Sequence, residues 1–192
     1  MESSLQHDPR WQTLQQQLAD VRARVRPLVR PLSHTQLNWQ PLPTRWSIGQ
    51  NLQHTVLTGR EYLARLDGAI DEARRRTQAQ QTPHRPGFLA AYLVRSMEPP
   101  VTRRLRTLPR LQPTSTVERD MVLAEFDAFH EELQRRMFTA RDAHLDAGRM
   151  RSPLLPLVRL TVEQAFAVLL AHSRRHLWTA EQIRELPGFP QE

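Results

Sequence analysis

The sequence predicts an all-α protein, a four-helix bundle with one long crossover connection. Three observations point there. Fifteen prolines divide the 192 residues into Pro-free windows at 10–26, 44–82, 114–152 and 157–186, each rich in Leu, Ala, Gln, Glu and Arg. Pro inside a helix removes a hydrogen bond and clashes with the preceding turn, at a cost of ~3 kcal/mol, so long helices belong in these windows. Three windows carry a capping signal, Ser47 with Gln50, Ser115 with Glu118, and Thr161 with Gln164, in which a side-chain oxygen satisfies a free backbone amide. No stretch alternates β-branched and polar residues, so a sheet has almost no support.

The first helix starts after Pro9 and packs Trp11, Leu14, Leu18, Val21 and Val25. It is expected to kink or stop near Pro27. In the second window Ile48, Leu52, Val56, Gly59, Leu63, Leu66 and Ile70 form the apolar stripe. The Asp67–Gly68 pair falls inside that helical pattern, where a hairpin turn has no place. Residues 77–87 form a polar loop, and 88–97 make a short extra helix ended by Pro99 and Pro100. The crossover lies there. One domain over 1–192 is the default for this length, with residues 1–9 as a flexible N-terminus and 187–192 as a C-terminal tail.

The charge balance is 27 basic against 20 acidic residues, net +7, and every basic residue is Arg. Such a balance permits anionic partners without naming one. The segment 101–112 carries Arg103, Arg104, Arg106 and Arg110 with no acid. It reads as a solvated basic face, with phosphate or anionic-substrate binding as the alternative. Aromatic residues make up only 6% of the chain, which gives no stacking platform for single-stranded nucleic acid. The absence of Cys removes disulfides, thiolate metal sites and thiol nucleophiles. The first residues lack the basic and apolar regions of a signal peptide, and the longest apolar run, 165–171, is far below the ~20 residues of a membrane span. A cytoplasmic protein is the expectation.

Without Cys, any metal rests mainly on His, Asp or Glu, and there are eight His. In the last helix His172 and His176 share the face of Val162, Ala165, Phe166, Leu169, Ala180 and Ile183. Their spacing of four places both imidazoles on one side, a turn apart, within reach of one ion at ~2.0–2.1 Å. A pair of core histidines bonded to backbone or carboxylate has the same spacing. Position 173 is Ser, so the H-E-x-x-H pattern of a zinc protease is absent. Of the remaining histidines, only His54 lies early in a strong core helix, yet periodicity places it opposite the apolar stripe, on the side of Leu57 and Glu61. His130 and His144 sit among Glu131, Glu132, Arg141 and Asp142 and read as solvated. His7, His34 and His84 lie in or near loops. Trp39, Trp46 and Trp178 close the bundle ends or line a site.

Two segments carry a family resemblance. LSHTQLNWQPLPTRWSIGQNLQHTVLTGREYLARL resembles the opening half of the DinB/YfiT superfamily: a Leu-rich helix, a Pro turn, then Trp46, Ser47 and Ile48, with His54 eight residues after the Trp. VLLAHSRRHLWTAEQI resembles its last helix through His172, Arg175, His176 and Leu177. The resemblance implies a four-helix bundle in which His54, His172 and His176 bind a divalent ion, commonly zinc or nickel. Three protein ligands leave positions open for water or substrate, as catalytic sites do. The family often has Gln three residues after the last His. Here that position is Thr179, with Gln182 one turn later, which affects contacts around the ion more than the ligands themselves.

The resemblance further implies a metal-dependent hydrolase or an S-transferase using a low-molecular-weight thiol, and a homodimer. A chain without Cys takes any thiol from outside. Glu61 and Thr179 are candidates for supporting or proton-transfer roles beside the ion, and Glu61 also reads as a solvated surface acid. The alternatives are a stress-related protein of the same fold that holds a metal or small ligand without turnover, and a basic nucleic-acid-binding protein.

Overall fold

The structure, a computed structural model, describes residues 8–80, 87–101 and 107–191. Six helices appear among them: α1 (Pro9–Val29), α2 (His34–Asn38), α3 (Ile48–Gln78), α4 (Phe88–Met97), α5 (Arg119–Ala140) and α6 (Val162–Arg184). The long ones, α1, α3, α5 and α6, form the bundle: α3 packs on α5 and α6, and α1 closes the other side against the same two helices. The stripes read from the sequence on α1, α3 and α6 are buried throughout. Among the described residues no helix is long and apolar enough to cross a membrane.

The caps at Ser47 and Thr161 form as reciprocal pairs. Ser47 accepts from the Gln50 amide at 3.2 Å while Gln50 Oε1 accepts from the Ser47 amide at 3.0 Å, and Thr161 and Gln164 do the same. The box expected at Ser115 does not form. Glu118 occupies the N-cap of α5 with no side-chain bond, because the preceding loop is held elsewhere. Asn38 bonds both the amide and the carbonyl of Val117, at 2.8 and 3.0 Å, and Gln53 accepts from the Thr114 amide. A cap the sequence reading passed over, Ser33 with Gln36, starts α2.

Helix α1 ends at Val29, two residues past Pro27, close to the stop expected there. The proline sits in the final turn, where Leu28 and Val29 are buried and hold the chain helical. The third window is helical only to Ala140. Beyond it lies a two-stranded antiparallel sheet, β1 (Arg149–Arg151) and β2 (Arg159–Thr161), with Met150 opposite Leu160. Those two side chains are buried while Arg151 and Arg159 face out. Strands of three residues are too short to display a period of two. The C-terminal tail is packed: Phe189 meets Trp39 edge-on at 5.6 Å, and Gln36 donates to the Pro190 carbonyl at 2.9 Å.

Two glycines set how closely the elements approach. A Cβ at Gly59 would stand 2.2 Å from the Phe129 ring, and one at Gly148 would stand 1.9 Å from the Ala69 carbonyl oxygen. Gly59 thereby lets α5 seat its aromatic ring on α3. Gly148 lets the hairpin lie on the α3 backbone, where Glu72 accepts from the Arg149 amide at 3.1 Å. Overpacking of this kind costs about 1–3 kcal/mol. Gly148→Ala is expected to lower the urea midpoint more than Gly59→Ala, because a backbone carbonyl yields less than a ring; equal midpoints for both variants and the parent would contradict the packing.

Candidate metal centre

The first half of α3 is buried on nearly every side. Gly49, Gln50, Asn51, Leu52, His54, Thr55, Val56, Thr58 and Gly59 are all inside, since α5, α6, α2 and the 3-10 turn at Pro109–Leu111 surround it. His54 is therefore only 6% exposed, against the surface position periodicity assigned it. The polar side of this half-helix is covered by other elements, so periodicity finds the apolar stripe but misplaces the polar residues opposite it as exposed. The motif resemblance, not the stripe, identified this residue correctly as an interior one.

His54 meets His172 and His176 from α6. Ring centroids are separated by 5.2 Å for His54–His172, 4.8 Å for His54–His176 and 4.5 Å for His172–His176. One nitrogen from each ring lies within 4.8 Å of the other two. Two rings are oriented by hydrogen bonds. His54 Nδ1–H donates to the Leu111 carbonyl at 2.8 Å, and His176 Nδ1–H donates to Asn51 Oδ1 at 2.9 Å. Asn51 is itself fixed, since its amide nitrogen donates to the Ser47 carbonyl at 2.8 Å. Both neutral rings thus present Nε2 as a lone pair. His172 makes no hydrogen bond among the described residues and is 5% exposed. Its ring edge reaches the cavity, and His54 Nε2 is met by the Thr58 hydroxyl at 3.4 Å; a cation shared by one nitrogen from each ring would take up all three lone pairs together. The donor set fits a borderline divalent ion with three protein ligands.

Electrostatics keeps the rings neutral. Burial pushes His54 below the ordinary imidazole value. It pushes His172 and His176 well below it, aided by repulsion from the neighbouring histidines and Arg175. Trp46 covers the cluster, its ring 4.6 Å from that of His54 and 6.0 Å from that of His176. The cluster opens into a cavity of about 990 Å³ walled by Leu93, Met97, Leu108, Trp178 and others, with Thr179 and Gln182 also on its surface. Neither Asp nor Glu is among its described lining residues. Thr179 donates to the Arg175 carbonyl at 2.9 Å. Gln182 supplies a side-chain amide to the cavity wall one turn beyond Thr179.

The other sequence candidates fall elsewhere. Glu61 does not line the cavity and faces Arg110 at 3.6 Å. His34 is exposed beside Glu118, and His144 is exposed. His7, His84, Arg103, Arg104 and Arg106 lie outside the described residues. Asn51 and the Leu111 carbonyl, which orient two of the rings, were not singled out in the sequence. Only the position of Asn51, one turn after Ser47 on a capped helix and three before His54, hints at its role.

His130 needs correction. It is fully buried, with Nδ1–H donating to the Phe126 carbonyl at 2.8 Å and Nε2 3.2 Å from the Ser173 hydroxyl. Its charged neighbours in sequence point away, while its spacing from Phe126, Leu133 and Met137 puts it on the buried face of α5. Burial pushes its pKa down to about 4, against an ordinary 6.5. Between these values the unfolded chain holds the proton and the folded chain does not. The neutral ring's contribution is complete above pH ~6.5 and is lost as pH falls toward 4. His130→Leu is expected to lose about 2 kcal/mol less stability than the parent between pH 7 and pH 5, measured by urea unfolding with chelator present. A parallel loss in both proteins would contradict the assignment.

The comparisons with known proteins agree with this architecture. A family model described as the DinB superfamily matches residues 17–180. No curated protein matches the chain by sequence. Among solved structures, YfiT from Bacillus subtilis, described as a probable metal-dependent hydrolase with an unusual four-helix bundle topology, superposes with a TM-score of 0.59 at 18% identity, covering 91% of this chain and 86% of that one. With the family model spanning most of the bundle, the chain belongs to the DinB superfamily.

Proposed function

We propose that this protein is a metal-dependent enzyme acting on a small molecule, with His54, His172 and His176 holding one divalent ion, zinc or nickel. The observation that carries the reading is the convergence of the three rings: His172, which makes no hydrogen bond among the described residues, brings a nitrogen within 4.8 Å of one from His54 and one from His176, two rings fixed by bonds at Nδ1. The description of YfiT as a probable metal-dependent hydrolase supports the same class.

When bound, the ion supplies Lewis acidity, lowering the pKa of a water or thiol nucleophile so that hydrolysis or thiol transfer proceeds near neutral pH. The protein's own part is orientation and exclusion of water. Asn51 and the Leu111 carbonyl hold two rings in the ligand tautomer, Trp46 covers the cluster, and the apolar wall excludes bulk water from the reacting end. With no carboxylate among the described lining residues, no side chain there serves as a carboxylate base. An ion held there would bring either a bound water or an external thiol toward its anionic form without a carboxylate base. The same absence favours a second reading, metal or ligand binding without turnover.

Elemental analysis of untagged protein tests the proposal. One zinc or nickel per chain is expected, falling to background in His172→Ala. Metal at background in the parent would sink it. Turnover of a panel of esters, amides and thiol acceptors then separates enzyme from binder. Asn51→Leu is expected to weaken metal affinity about 10–100-fold by releasing His176, as read by chelator competition, while Asn51→Asp retains the acceptor and the affinity.

A further inference from the structure

The β1–β2 hairpin carries two features that its packing does not use. Residues 147–162 hold three Arg and no Asp or Glu. Arg151 and Arg159 stand directly opposite each other in the antiparallel register. Both are exposed, and neither makes an ion pair or side-chain hydrogen bond among the described residues. Side chains opposed in this way stand about 4.5–5.5 Å apart at Cβ, and like charges there are destabilising. Between the two arginines the chain turns through Leu155, Pro156 and Leu157, all exposed. At 93%, Leu157 is the most exposed large apolar side chain among the described residues. The turn that presents it is firmly held. The Val158 amide donates to the Leu155 carbonyl at 2.8 Å and the Ser152 amide to the Val158 carbonyl at 2.9 Å. The Ser152 hydroxyl oxygen accepts from the Leu154 and Leu155 amides at 3.3 and 3.2 Å and is itself buried against the Tyr62 hydroxyl at 3.0 Å. Fixed backbone thus directs an apolar tip into water just beyond two adjacent guanidinium groups.

We propose that this hairpin docks the protein on an anionic phospholipid surface, with Leu155, Pro156 and Leu157 entering the headgroup boundary and Arg151 and Arg159 meeting lipid phosphates. The dimensions agree. Leu157 lies two residues beyond Arg159, roughly 7 Å at ~3.3 Å per residue, and interfacial segments bury their apolar side chains ~5–10 Å deep. Phosphates would also relieve the repulsion between the opposed arginines, each of which gains from a negative surface. The tip exposes on the order of 300 Å², well under the ~800 Å² that each side of a stable protein–protein contact buries. A nucleic acid would pair the arginines and leave the leucines in water. The attachment is peripheral, since no helix among the described residues can span a bilayer. Leu155 also lines the cavity, so docking brings that wall of the cavity to the lipid surface. None of this depends on an ion at the histidine cluster.

The test is sedimentation of the full chain with vesicles of phosphatidylcholine alone and of phosphatidylcholine mixed with phosphatidylserine. Binding to the mixed vesicles is expected, about tenfold or more tightly than to phosphatidylcholine. Leu157→Ser should weaken it about tenfold, and Arg151→Gln with Arg159→Gln about twentyfold together. Arg30→Gln with Arg184→Gln, which removes the same charge from exposed positions on other elements, should leave it nearly unchanged. Because the chain has no Cys, a polarity-sensitive fluorophore attached through Leu157→Cys reports on the tip alone, and its emission should shift to the blue on mixed vesicles. Failure to bind mixed vesicles, binding that survives the Leu157 and arginine variants, an unshifted fluorophore, or an equal loss in the Arg30 and Arg184 variant would overturn the proposal. If vesicles fail while a DNA duplex binds through Arg151 and Arg159, or a dimer forms that Leu157→Ser dissociates, the tip serves nucleic acid or self-association and the proposal falls. Arg151→Gln removes a like-charge contact, so its urea midpoint should not drop below the parent's; if it does, Leu157→Ser and the fluorophore decide.

Discussion

Everything at the centre of this protein depends on three imidazoles kept neutral inside the bundle. Their burial alone would be a liability, because each ring has two polar nitrogens and only one easily satisfied by backbone. The chain resolves this asymmetrically. The 3-10 turn supplies a carbonyl to His54, and Asn51, fixed by the Ser47 carbonyl, supplies an amide oxygen to His176. The capped start of α3 is thus tied to the orientation of a ring on α6. The hydroxyl that caps the helix and the carbonyl that fixes Asn51 belong to one residue, Ser47, so the helix start and ring orientation form together.

The arginines explain how a chain of net charge +7 avoids a uniformly basic surface. Arg24 reaches from α1 to Glu181 on α6, Arg26 from α1 to Asp127 on α5, and Arg136 from α5 to Asp67 on α3. Arg10 joins Asp8, Asp146 and Glu163 at one end of the bundle. Exposed pairs of this kind contribute about 0–1 kcal/mol each, so they fix register between helices more than they stabilise them. Stability comes instead from the continuous apolar core. The exceptions are the cavity, where arginines line a wall that has no acids among its described residues, and the hairpin, where Arg151 and Arg159 meet none.

The sequence made the long helices legible because prolines and caps mark their limits and stripes mark their inner faces. Ser47, Thr161 and the short helix at 88–97 were readable on those grounds. Three features were not, each for a physical reason. The cap at Ser115 had the right residues, but tertiary bonds from Asn38 and Gln53 hold its backbone away from a helix start. The β1–β2 pair is three residues long and depends on Gly148 fitting against α3. His130 was hidden by charged neighbours that point to solvent from the same helix. The histidine cluster was readable by two routes of unequal reach: spacing placed His172 and His176 on one inner face, but only the motif resemblance brought His54 to them. No local signal shows that α3 is covered on its polar side by a distant 3-10 turn.

That cover separates two tasks in the fold. The three imidazoles stand on α3 and α6, the two helices buried most deeply, where packing on several sides fixes their positions. The cavity walls come largely from the connections: the loop before α3 gives Arg45 and Trp46, α4 gives Leu93 and Met97, the 3-10 turn gives Leu108 and Leu111, and the turn after β1 gives Leu154 and Leu155. Connections accept sequence change more readily than helices packed in a core. The nitrogen positions are therefore set by the bundle, while the shape and charge of the space above them are set by segments that can vary without disturbing it. A binding specificity carried by the α4 wall can change while the three imidazoles stay in place.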